Sequence, residues 1–169
     1  MEAQILSVII TEVKRRLLEE SVPRLKKCLT LMTEAEIWYR PNMHTVSAGN
    51  LCLHLCGNVR QWVVATLGEK ADIRHRQQEF DEVGPIPLHK MLGNLDELMG
   101  EVEGVLDSLT PEDLTKIYQV QGFQEAGFSI LMHVVEHFSY HVGQVSYIVK
   151  SRKNLDLGYY SGHNLDAVT

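Results

Sequence analysis

Apolar residues recur three and four positions apart along most of the chain, the period of helices that bury one face, and long alternating runs are scarce. The pattern predicts an all-α protein. A first helix is expected over about residues 2–31, kinked or restarted at Pro23, because proline lacks an N–H and its ring clashes with the preceding turn. Thr33 caps one further turn through Glu34, Ala35 and Glu36, and Arg40, Pro41 and Asn42 then form a loop. A second helix begins near Thr45 or Ser47, runs through Leu51, His54, Asn58 and Trp62, and stops at Gly68, a glycine suited to the left-handed conformation after a helix end. A third spans about residues 88–107 on a stripe of Leu92, Leu95, Leu98, Met99, Val102 and Leu106. The last starts near Phe128 and ends near Lys150 or Ser151, where Lys150, Arg152 and Lys153 meet the negative end of the helix dipole.

Between these helices the pattern changes. Residues 69 to about 86 form a charged connection ending in Gly84, Pro85 and Pro87, long enough to cover a site. Thr110 to Asp113 is a capped turn, and the stretch from Lys116 to Gly127, with Ile117, Tyr118, Val120 and Phe123, is extended. The tail with Tyr159, Tyr160 and His163 packs back or frays. Four long helices joined by one long crossover predict a four-helix bundle, a single domain over residues 1–169. Bundles of this kind build metal sites from side chains that face inward from different helices.

Composition narrows the function. With 44% apolar and 22% charged residues, the chain is globular, and no stretch is apolar enough to span a bilayer. A formal charge of -6 argues against nucleic-acid binding, which needs a clustered basic surface. Glu2 precedes the first apolar patch while Lys14, Arg15 and Arg16 follow it, the reverse of a secretory signal. Cys28, Cys52 and Cys56 are an odd set without framework spacing, as expected of a cytoplasmic protein. Cys52 and Cys56 each lie two positions from His54, on nearly the opposite side of a helix, and read as small buried residues. Arg74 and Arg76 read as solvated loop charges, with anion clamping the lesser alternative. Trp38 and Tyr39 pack at the bundle end or, less favoured, line a pocket mouth.

The chemistry concentrates in the histidines. His133, His137 and His141 stand at four-residue steps and form a column on one helix face, where neighbouring imidazoles can share a metal ion. A third ligand must come from elsewhere, and His54 on the second helix is the candidate. His137, His141 and Gln144 can face one interior pocket, opposite a strip of His54, Asn58 and Gln61. Apolar surroundings favour neutral imidazole, the form that ligates metal. Nearby Asn or Gln side chains or Glu136 could orient the other ring nitrogens. Spacing alone leaves open whether the pair is His133 with His137 or His137 with His141, and whether these are ordinary core histidines. His44, His75, His89 and His163 lack partner spacing and default to the surface. No nucleophile elbow, phosphate-binding loop or zinc-protease motif is present, so metal-assisted chemistry is what remains.

The segments HLCGNVRQW around His54 and EHFSYHVGQV around His137 and His141 together resemble the DinB-like family, also described as YfiT-like metal-dependent hydrolases. The resemblance covers nearly the whole chain. It implies a four-helix bundle in which one histidine of the second helix and a His-x-x-x-His pair of the last bind a divalent metal, nickel or zinc. The matching positions are His54, His137 and His141, and Val142, Gly143 and Gln144 fit the residues that follow the pair in the family. This selects His137 with His141 and leaves His133 as a packing or supporting neighbour. The activities implied are hydrolysis or transfer of a low-molecular-weight thiol to a small-molecule substrate, with a homodimer as the assembly. The competing class is a noncatalytic protein whose metal fastens the second helix to the last.

Overall fold

The structure, a computed structural model, describes residues 1–168. Helix α1 (Glu2–Lys14) passes through a π-helical segment, Arg15–Ser21, into α2 (Val22–Thr30). The predicted irregularity at Pro23 takes this form. Proline stands in the first turn of α2, and the wide π turn ahead of it absorbs the clash that a regular helix would suffer. Thr33 closes a capping box with Glu36 at the start of α3 (Glu34–Ile37). A second capping box, Ser47 with Asn50, opens α4 (Ala48–Val59), which runs on as a π-helical segment over Arg60–Leu67.

The end of that segment corrects one expectation. Gly68 has φ -82 and Glu69, not the glycine, takes the left-handed turn at φ 51. Glycine is needed at 68 for space: a Cβ there would lie 2.5 Å from the Val64 carbonyl oxygen and 2.8 Å from Val105. The connection that follows is also more structured than a loop, since it carries α5 (Arg76–Asp81).

Helix α6 (Leu88–Ser108) buries Met91, Leu95, Leu98, Met99, Val102, Val105 and Leu106, whereas Leu92 is only partly covered. Helix α7 (Pro111–Thr115) is capped by Thr110 with Asp113. The extended stretch is a hairpin, β1 (Ile117–Val120) against β2 (Phe123–Ala126), antiparallel with Val120 opposite Phe123. Its two-residue turn is Gln121-Gly122, both with positive φ, the geometry that matches the twist of paired strands. Helix α8 (Gly127–Lys153) ends on Asn154 in the left-handed conformation.

The fold is all-α with this one small hairpin, and α8 is its axis. It packs on α2, on α4 and on both π-helical segments. Leu25, Leu29, Leu55, Leu131 and Phe138, on α2, α4 and α8, are fully buried. Each such side chain contributes about 1.5–3 kcal/mol of apolar burial, which fixes the rotation of α4 and α8 about their axes. The tail packs back: Leu157 is buried, and the Tyr159 hydroxyl lies 2.7 Å from Ser146 and 3.1 Å from Cys28. No helix is long and apolar enough to cross a membrane.

Candidate metal centre

The histidines meet where α4 and α8 face each other. His54 Nε2 lies 3.1 Å from His137 Nε2, and His141 Nε2 lies 3.2 Å from the same atom. One nitrogen from each of the three falls within 4.8 Å of the other two, and among the described residues no fourth His, Cys, Asp or Glu joins the group. His54 is buried, and His137 and His141 are half-buried.

Partners on the far side of two rings fix which nitrogen carries hydrogen. His54 Nδ1 faces Glu79 Oε2 at 2.9 Å, and His141 Nδ1 faces Gln144 Oε1 at 2.6 Å. Both partners are acceptors, so both Nδ1 atoms donate, and in the neutral rings both Nε2 lone pairs point at His137. A hydrogen on His137 Nε2 can satisfy only one of them. At least one close N···N contact therefore has no hydrogen in it, a repulsive arrangement unless a cation lies between the rings. Nitrogens held 2.0–2.1 Å from one tetrahedral ion stand roughly 3.3 Å apart, close to the separations seen. His137 Nδ1 is itself buried without a hydrogen-bond partner. Burial, then the neighbouring His141, His54, His133 and Arg74, push the His137 pKa down to about 3. Burial also lowers His141, against the opposing bond to Gln144. Neutral imidazole is the ligating form, so the donor set suits a divalent ion.

Glu79 comes from α5, and the sequence explains how that short helix is held over α4. Asn50 is fully buried and donates to the carbonyls of Glu79 at 2.9 Å and Glu82 at 2.8 Å. Arg40 bridges Asn50 Oδ1 and the carbonyl of Phe80, whose ring then lies 4.8 Å from that of His54. Arg74 grips the Glu79 carboxylate with both arms, Nε to Oε1 at 2.7 Å and Nη2 to Oε2 at 2.9 Å, and gives Nη1 to Gln61 at 2.9 Å. Burial raises the Glu79 pKa, but the bonds from Arg74 and His54 outweigh it and keep the carboxyl below its ordinary value. Gly57 makes room for this pair: a Cβ there would fall 1.9 Å from Glu79 Oε1.

Several sequence expectations change here. Arg74 is not a solvated loop charge; its side chain is 4% exposed because it closes a carboxylate pair inside the site. Arg76 is exposed, over the Phe80 ring. Glu79, rather than Glu136, orients a histidine, and Gln144 orients another. Glu79 was not singled out by its sequence, since a carboxylate in a charged connection carries no periodic signal. In α4 it leaves a trace in Gly57, which faces the crossover. His133 stands outside the three-histidine group, stacked on Trp62 at 3.8 Å with Asn58 Nδ2 3.3 Å from its Nε2. Cys52 is buried, and its bond to Cys56, then burial, raise its pKa well above the ordinary thiol value. Trp38 packs over Gly49 and Gly84, whereas Tyr39 is half-exposed and lines a cavity.

Residues 7–161 match the model of a family described as a protein of unknown function, DUF1572. The chain belongs to that family. Solved structures place this DUF1572 member among DinB-like folds. A DinB-like protein of Bacillus subtilis, YjoA, superposes with a TM-score of 0.65 at 15% identity, covering 88% of this chain and 94% of its own. A conserved protein of Enterococcus faecalis gives 0.67 at 16% identity over 90% and 97%. A second DinB-like protein, from Bacillus cereus, gives 0.61 at 16% identity over 83% and 90%. These likenesses show a shared fold. No curated protein matches the chain in sequence.

Proposed function

We propose that this DUF1572 protein binds one divalent metal ion, nickel or zinc, through His54, His137 and His141, and uses it in hydrolysis or in transfer of a low-molecular-weight thiol to a small-molecule substrate. The observation that carries this is the convergence of three imidazole nitrogens within 4.8 Å, those of His54 and His141 standing 3.1 and 3.2 Å from that of His137, with too few hydrogens to satisfy them. Held by these three residues, a divalent ion would supply Lewis acidity to a water or thiol at neutral pH.

The chain's own residues prepare the site for that role. Glu79 and Gln144 hold the Nδ1 hydrogens of His54 and His141 and so aim both lone pairs inward. Arg74 keeps Glu79 ionised and still. Phe80 covers the His54 ring and Trp62 covers the His133 side of the cluster, limiting water on those flanks. Three neutral nitrogens, with no carboxylate among them, would leave the full charge of a bound divalent ion available to a substrate. The free thiols of Cys28, Cys52 and Cys56 support a cytoplasmic setting, with a homodimer as the expected assembly.

The same geometry supports a second reading, because the cluster ties α4 to α8 and a closed metal there would act as a fastener. Thermal melts with and without chelator, run beside turnover assays with thiols and electrophilic substrates, separate the two. Metal-dependent turnover supports the enzyme. A large chelator-induced loss of stability without turnover, and without any exchangeable ligand, supports the fastener.

A further inference from the structure

A cavity of about 820 Å³ lies beside the histidine cluster, between α8 and the segment that leads into α4. Small-molecule sites commonly span about 300–1,000 Å³. Its walls include Tyr39, Leu51, Tyr140, Tyr147, Ile148 and Arg152. Tyr140 and Tyr147 are seven residues apart and share one face of α8, yet they are 63% and 74% exposed, and Tyr39 is 48% exposed. Three uncovered aromatic rings thus gather around one concavity, rather than standing singly as exposed apolar groups such as Val8, Ile73 and Ile117 do elsewhere.

The charge lining this cavity is one-sided. Although the chain carries an excess of acidic groups, no Asp or Glu lines the cavity, and its charged lining residue is Arg152. Arg152 lies over the Tyr39 ring at 4.1 Å, and among the described residues it has no carboxylate within salt-bridge distance. The next residue, Lys153, is paired with Glu36 at 2.6 Å. The guanidinium is therefore available at the mouth, backed by a flat ring, an arrangement that suits a carboxylate, sulfonate or phosphate on an aromatic or aliphatic body.

The opposite end of the cavity approaches the histidines through Gln144 and Tyr140. Gln144 lines the cavity and accepts the His141 Nδ1 hydrogen, and the Tyr140 ring lies 5.0 Å from that of His141. Eleven residues of α8 separate His141 from Arg152, a rise of about 16 Å. Gly143 sits between the two tyrosines, and a Cβ added there meets nothing within 4 Å, so the glycine opens onto the cavity.

We infer that this cavity binds a small amphipathic anion, its charged end on Arg152, its apolar body between Tyr140 and Tyr147, and its far end directed at the histidine cluster. Which end reacts rests on the metal reading above; the binding itself does not.

The test uses naphthalene-1-acetate and its neutral analogue naphthalene-1-ethanol, titrated calorimetrically into the full chain, alongside a separate zinc titration. The acetate should bind at least tenfold more tightly than the alcohol. Arg152→Gln should abolish that difference, and Gly143→Leu should weaken both probes at least tenfold while zinc affinity stays unchanged. Tyr147→Ala, at an exposed ring, serves as a second cavity variant should Gly143→Leu misfold. Probe binding without zinc binding would uphold the cavity and remove the metal reading. Zinc binding with no probe binding, or probe binding indifferent to Arg152→Gln and Gly143→Leu, would overturn the cavity. So would a dimer that Tyr147→Arg converts to a monomer still unable to bind either probe, since the face would then be an interface between copies.

Discussion

Replacing Glu79 probes how the crossover prepares the histidines. The carboxylate accepts from His54 Nδ1 at 2.9 Å and from both arms of Arg74 at 2.7 and 2.9 Å, and its side chain is 10% exposed. Removing one member of a buried ion pair leaves the other uncompensated, at a cost of about 3–5 kcal/mol. Glu79→Gln retains one accepting oxygen, so its cost should fall near about 3 kcal/mol. Its amide nitrogen must face a donor, either Arg74 or His54, and the His54 tautomer is then no longer imposed. Loss of such an orienting partner weakens metal binding by roughly 10–100-fold. Urea unfolding of the metal-free protein gives the first number and zinc competition titration the second. The double variant Arg74→Met with Glu79→Leu separates the two effects: apolar replacement of both partners should recover most of the stability but none of the metal affinity. Unchanged zinc affinity in Glu79→Gln, or restored affinity in the double variant, would refute the orienting role.

Three further outcomes are expected. Gly57→Ala improves helix propensity by about 1 kcal/mol but drives a methyl into Glu79 and Arg74, so zinc affinity should drop at least tenfold, read by the same competition titration. His133→Phe keeps the stack on Trp62 and should leave zinc affinity within about threefold, whereas His141→Phe should lower it at least 100-fold; equal losses would mean that His133 also ligates. The Asp113 carboxyl is held below its usual 3.8 by hydrogen bonds from the Thr110 backbone and hydroxyl, with a further one from Tyr118. A depressed folded-state value adds stability above the unfolded pKa and loses it as pH falls through the folded one. Asp113→Asn should therefore cost about 1 kcal/mol at pH 7, with the gap to wild type closing only below pH 3.8, as followed by urea midpoints.

The long helices are legible in the sequence because their apolar stripes are long and unbroken, as in Leu95, Leu98, Val102 and Leu106 of α6. The hairpin is less so, since Gln121-Gly122 is a weak turn signal beside Asn-Gly or Asp-Gly. The DinB-like resemblance rests on two short segments of the sequence, and the structural likeness covers 88–90% of the chain. The clustering of His54 with His137 and His141 depends on the rotation of two helices, which follows from their apolar seams. Glu79 was not legible, and Arg74, named only as a solvated charge or an anion clamp, was not placed beside it, for the opposite reason. Their placement depends on Asn50 and Arg40 binding main-chain carbonyls of the crossover, bonds between distant segments that no local period records.

Metal stoichiometry tests the central claim most directly. Protein purified without chelator, and then exposed to zinc and nickel in separate dialyses, should hold one ion per chain by elemental analysis. His54→Ala and His137→Ala should each hold less than a tenth of that while keeping the helical circular-dichroism spectrum. A folded wild-type protein that neither carries nor takes up either metal would contradict the claim.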